Sequence, residues 1–63
     1  MENLKNASIN HIRQLLNDKY YNYYCTVYYE YINEAIINTL KDLKNKDVLT
    51  IEDIHNNIIN NYI

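Results

Sequence analysis

The chain is expected to fold as a single all-α domain, and three features of the sequence predict this. Its 63 residues include no glycine and no proline, so the residues that break helices and form tight hairpin turns are both missing. Apolar residues recur at three- and four-residue spacing along most of the chain, the period of a helix with a buried face. Thr50 is followed three positions later by Asp53, a close variant of the capping box that starts a helix at a defined point.

The elements follow in chain order. Ser8 can cap a short N-terminal helix beginning near Ile9, with Ile9, Ile12 and Leu16 on one face and Leu15 beside them. Asn17, Asp18 and Lys19 are the only polar break before the tyrosines. Asn and Asp favour turns over helix interiors, so a boundary is expected there. With no glycine or proline, the two segments can also run on as one helix.

A long central helix is expected over residues 20–44. One stripe runs through Tyr24, Tyr28, Tyr31 and Ala35, another through Cys25, Tyr29, Ile32, Ile36, Leu40 and Leu43. Two adjacent apolar stripes imply burial on more than one side. Tyrosine also favours strands, but the apolar positions from 20 to 31 do not alternate cleanly. No turn chemistry follows that would return a second strand. Lys44, Asn45, Lys46 and Asp47 then form a solvated connector. In the short capped C-terminal helix, Ile51, Ile54, Ile58 and Tyr62 share a narrow face. Leu49 just before the cap and Ile54 at the fourth helical position make a hydrophobic staple.

Size and composition narrow the function. A chain of 63 residues is one small domain, residues 1–63, and buries only about 60% of its unfolded surface. Chains this small usually gain stability from disulfides, a metal or a partner. The single cysteine, Cys25, rules out an internal disulfide, and no Cys/His spacing suits zinc. Oligomerisation remains. Phosphate-binding glycine loops and nucleophile elbows need glycine and drop out. No apolar run reaches the roughly 18 residues of a membrane span, and the N-terminal residues lack the pattern of a secretory signal. The formal charge of −2 and pI of about 5.5 argue against strong nucleic-acid affinity in the chain by itself. Asn, Ile and Tyr make up almost half the sequence, a bias that codons of an A/T-rich genome would produce.

The run Tyr31-Ile32-Asn33-Glu34-Ala35-Ile36 with Leu40 beyond it, the lead-in Leu49-Thr50-Ile51-Glu52-Asp53-Ile54, and the closing Ile58-Ile59-Asn60-Asn61-Tyr62-Ile63 together resemble the histone fold. Within that superfamily they look most like the centromere protein X family. The resemblance covers roughly residues 24–63. It implies a histone-fold-like scaffold without an active site. Such a subunit pairs with a histone-fold partner similar to centromere protein S, and acts in the nucleus at kinetochores and stalled replication forks. It also implies that DNA is contacted mainly by the assembled complex. Without the resemblance, the expected location is cytoplasmic.

Tyr24, Tyr28, Tyr31, Ile32, Ile36, Leu40, Ile54, Ile58 and Tyr62 are the expected partner interface, with Ile32, Ile36, Leu40 and Leu43 packing against Ile51, Ile54 and Ile58. Tyr20, Tyr21 and Tyr23 are the tyrosines expected to stay exposed in a lone chain. The tyrosines suit a helix seam better than a nucleic-acid stacking platform, because no basic groove accompanies them. Lys19, Lys41, Lys44 and Lys46 are the candidate DNA contacts, since histone-fold pairing sets first and second loops side by side. Asp18, Asp42 and Asp47 interleave with them, and lysines near a helix C-terminus equally suit its dipole.

No catalytic residue, metal ligand or cofactor is expected, and no membrane or small-molecule partner. Glu30 and Glu34 lie one turn apart, but no His three residues on completes a di-iron pattern; as neighbours they repel mildly. His11 and His55 are expected at the surface, and Cys25 as a small buried hydrophobe. The alternative to a histone-fold subunit is a small homo-oligomeric helical bundle, a protein-binding regulator of phage or bacterial type.

Overall fold

The structure, a computed structural model, describes residues 2–62, without the side chain of Tyr29. The described residues form four helices and no strand: α1 (Ile9–Lys19), α2 (Tyr21–Tyr24), α3 (Tyr29–Asp42) and α4 (Ile51–Tyr62). Helices α1, α3 and α4 pack on one another in all three pairings, and the single turn of α2 packs on α1. The core between them holds Ile12 and Leu16 of α1, Tyr24 of α2, Ile32, Ala35 and Ile36 of α3, and Ile54 and Ile58 of α4.

Helix α1 begins where expected. The Ser8 hydroxyl accepts a hydrogen bond from the His11 backbone N–H at 3.1 Å, which satisfies one of the amides a helix start leaves open. It ends at Lys19, after which Tyr20 leaves helical geometry with φ −124° and ψ 45°. The Asn17–Asp18–Lys19 boundary is therefore a true helix end.

The long central helix over residues 20–44 is not what forms. Residues 25–28 divide it into α2 and the 14-residue α3, which is about 21 Å long. Thr26 and Val27 are adjacent β-branched residues inside an aromatic run, and both classes lose side-chain freedom in a helix. Tyr28 is extended, with φ −64° and ψ 142°. The break turns Tyr24 into the core and packs Val27 against it, and leaves Tyr28 85% exposed. Cys25, expected in a buried stripe, is exposed, because the stripe it belonged to does not continue across the break. The expected burial of Tyr29 and the place of Ile63 in the closing run lie outside the described residues.

Helix α4 starts on a reciprocal box. Thr50 Oγ1 accepts from the Asp53 N–H at 3.2 Å, and Asp53 Oδ2 accepts from the Thr50 N–H at 3.1 Å. Both staple residues, Leu49 and Ile54, are buried. An N-terminal strap closes this end. Leu4 is fully buried, and its N–H donates to the Leu49 carbonyl at 2.6 Å. Asn3 Oδ1 in turn accepts from the Leu49 N–H at 3.0 Å.

Candidate functional site

Helices α3 and α4 run antiparallel, held by two side-chain hydrogen bonds. Thr39 Oγ1 donates to Asn57 Oδ1 at 2.9 Å, and Asn38 Nδ2 donates to Tyr62 Oη at 2.7 Å. The Tyr31 and Tyr62 rings meet edge to face, with centroids 6.2 Å apart and planes at 86°. Between the N-terminal half of α3 and the end of α4 they rim an apolar cleft of about 70 Å³. Its floor is Tyr24, Ile32, Ala35 and Ile58, all buried, with half-buried Val27 at one side. The small side chain of Ala35 leaves the space open. One water needs about 10–15 Å³, so the cleft has room for a small aliphatic side chain.

Tyr24 also faces a second cluster. Its hydroxyl lies 2.8 Å from Nδ1 of His55, which is 4% exposed. The Tyr20 ring stacks on His55 at 3.6 Å with planes 4° apart, and Tyr23 meets it edge-on at 4.8 Å. Burial pushes the His55 pKa below its ordinary value, since a low-dielectric site disfavours the charged ring. Burial, then the neighbouring Tyr20 and Tyr23, raise Tyr24 to about 12. At neutral pH the pair is uncharged.

His55 is thus a core residue, contrary to its expected surface position. Its neighbours in sequence carry no signal for this, because its packing partners lie in and just before α2. His11 is exposed as expected, with Nε2 2.8 Å from Glu2 Oε2. Tyr21 and Tyr23 are 61% and 48% exposed, whereas Tyr20 is half-buried against His55.

The nine expected interface residues divide sharply. Tyr24, Ile32, Ile36, Ile54 and Ile58 are buried within the chain's own core, and Leu40 packs against it, as do Leu43 and Ile51. Tyr28, Tyr31 and, in part, Tyr62 face outward.

Of the candidate DNA contacts, Lys41 lies in the last turn of α3, and Lys44 and Lys46 follow it on the exposed connector. Lys46 is 3.8 Å from Asp53. Lys19 ends α1, with its ammonium 5.8 Å from the Tyr20 ring centre. Glu30 and Glu34 are exposed on α3. Among the described residues no cluster of His, Cys, Asp and Glu could hold a metal ion, and no helix is long and apolar enough to cross a membrane.

Compared with protein-family models, curated proteins and solved structures, the chain matches none.

Proposed function

We propose that the chain is a non-enzymatic binding module, a small helical scaffold that docks another protein on the tyrosine-rimmed cleft between α3 and α4. The observation that carries this reading is the cleft itself: an apolar floor with Tyr31, 55% exposed, at its rim and Tyr28, 85% exposed, at the start of the same helix. Large amphipathic rings beside an apolar pocket are what interface anchors are made of. The remaining core is closed. A radius of gyration of 10.5 Å is what a self-contained fold of this length should have, roughly 10.6 Å. The Tyr24–His55 pair is buried, which suits a structural role better than contact with a substrate.

The test is capture of binding proteins from the source cells with wild-type chain and with Tyr28→Ala/Tyr31→Ala. A protein retained by the first and lost from the second, with helicity unchanged, supports the cleft reading. Equal retention by both overturns it.

The capped α4, joined to α3 by a short loop, favours a second reading: a histone-fold subunit of the centromere protein X type. In that reading the chain pairs with a partner similar to centromere protein S, in a nuclear DNA-associated complex. Lys19, Lys41, Lys44 and Lys46 would meet phosphate there, and Ile36, Ile54 and Ile58 would repack across the interface. Light scattering with thermal melts separates the readings. A cooperative folded monomer supports the binding module, and a chain that folds only with a histone-fold protein supports the subunit. A discrete homo-oligomer supports a self-associating bundle.

A further inference from the structure

We propose that the cleft takes a cationic amphipathic segment of the partner protein, with an aliphatic side chain in the cleft and lysine or arginine beside it. This rests on the protein-docking reading above and adds the chemistry of the occupant.

No charged side chain lines the cleft itself, and the acidic residues nearest its rim along α3 are Glu30 and Glu34. Glu34 lies three residues after Tyr31 and four before Asn38, so it shares their edge of α3, and Glu30 lies one turn before it. Both carboxylates are exposed, and neither joins the ion pairs of the described residues, His11–Glu2 and Lys46–Asp53. At this spacing they repel each other, and a cation placed between them would relieve that repulsion. Helix α4 brings Tyr62 to the cleft and has no basic residue in its last described turn.

The chain's own cation nearest these carboxylates is Arg13 of α1, which donates to Asn33 Oδ1 at 2.6 Å on the α1 side of α3; the others are farther off. No lysine or arginine occurs between residues 20 and 40 or after Lys46. Lys41 lies roughly 15 Å along α3 from Tyr31, with Lys44 and Lys46 beyond it. The exposed faces of Tyr28 and Tyr31 attract cations through their ring quadrupoles. A nucleic-acid strand would bring phosphates against Glu30 and Glu34. A second copy would have to offer Lys5, Lys19 beside Asp18, or Lys41, Lys44 and Lys46 interleaved with Asp42 and Asp47, and the self-association control below tests it.

The experiment is an NMR titration of the folded chain with three synthetic helical peptides. They share one leucine anchor, flanked by lysine, glutamine or glutamate. The lysine peptide should shift Tyr31, Ala35, Ile58 and Tyr62 and bind about tenfold tighter than the glutamine peptide at low salt, while the glutamate peptide binds weakest. Glu30→Gln/Glu34→Gln should abolish that preference and retain the glutamine-peptide affinity. Glu52→Gln, at the far end of α4, should leave the preference unchanged.

Equal binding of all three peptides in the cleft overturns the charge inference and leaves the docking reading standing. Shifts outside the cleft, or no binding by any peptide, overturn both. Two controls bear on the alternatives: a thymidine oligonucleotide that shifts the same tyrosines, or concentration-dependent self-association through them, would assign the cleft to another occupant and overturn the proposal.

Discussion

The Tyr24 hydroxyl sits 2.8 Å from Nδ1 of His55, a residue 31 positions away in sequence. This contact ties α2 to α4 across the core. One side chain, Tyr24, therefore both closes the His55 cluster and lines the cleft.

Tyr24→Phe keeps the ring and removes that bond. His55 is left buried beside an apolar edge, which should cost about 1–3 kcal/mol. In a domain of this size the midpoint should fall by about 4–8 °C for each kcal/mol. Adding His55→Leu should recover part of the loss, since the main cost is the partnerless imidazole. Circular-dichroism melts of the three proteins decide this, and a single variant that melts like wild type would show the bond to be without consequence.

Stability should fall with acid in two stages. Burial lowers the pKa of His55 in the folded state, while the unfolded value stays near 6.5. Below that pH the unfolded chain binds more protons, so stability is full above about 6.5 and declines as pH falls toward the folded value. Asp53 is held below its ordinary 3.8, first by the backbone hydrogen bond from Thr50. Its contribution is present above that value and is lost as pH falls through the folded one. Urea melts over this range should show both stages, and His55→Gln should flatten only the first. A pH-independent midpoint from about 7 to 5 would contradict the burial of His55.

Thr50→Ala and Asp53→Ala each remove half of the reciprocal cap on α4. Each should destabilise by about 0.5–2 kcal/mol. The double variant should cost less than the sum, because the two hydrogen bonds share the same pair of residues. Chemical denaturation of all four proteins closes the cycle.

Leu4 lies near the start of the numbered sequence, where substitutions are usually tolerated. It is nonetheless fully buried. Leu4→Ala should cost about 2–5 kcal/mol, in the same range as Ile54→Ala in the centre of α4. Hydrogen exchange gives an independent reading: the Leu4 and Leu49 amides should be protected in wild type, and Asn3→Ala should expose the Leu49 amide first. A freely exchanging Leu4 amide would contradict the strap.

Much of the architecture was legible in residue spacing. The Ser8 start, the Asn17–Lys19 boundary, the Thr50–Asp53 box, and the buried faces Ile12/Leu16 and Ile54/Ile58 all stand in the structure. The cleft was only half legible. Tyr31 and Tyr62 stood out as interface residues, but their meeting over Ala35 needs α3 and α4 placed antiparallel. The interruption at Thr26–Val27 was hidden because a chain without glycine or proline shows no strong stop signal, and β-branched residues only bias against helix.

What the sequence determined by itself is whatever depends on neighbours within one or two turns: helical class, caps and the face each helix buries. Its period and its capping residues act through local hydrogen bonds and side-chain spacing. The tertiary structure alone decided the burial of His55, the strap of Asn3 and Leu4, and the division of the tyrosines between core and rim. Those outcomes depend on contacts between residues 31 and 46 positions apart. Such pairings lie far beyond any helical period, so no local pattern encodes them, and only competition for space in one small core settles which side chains go inside.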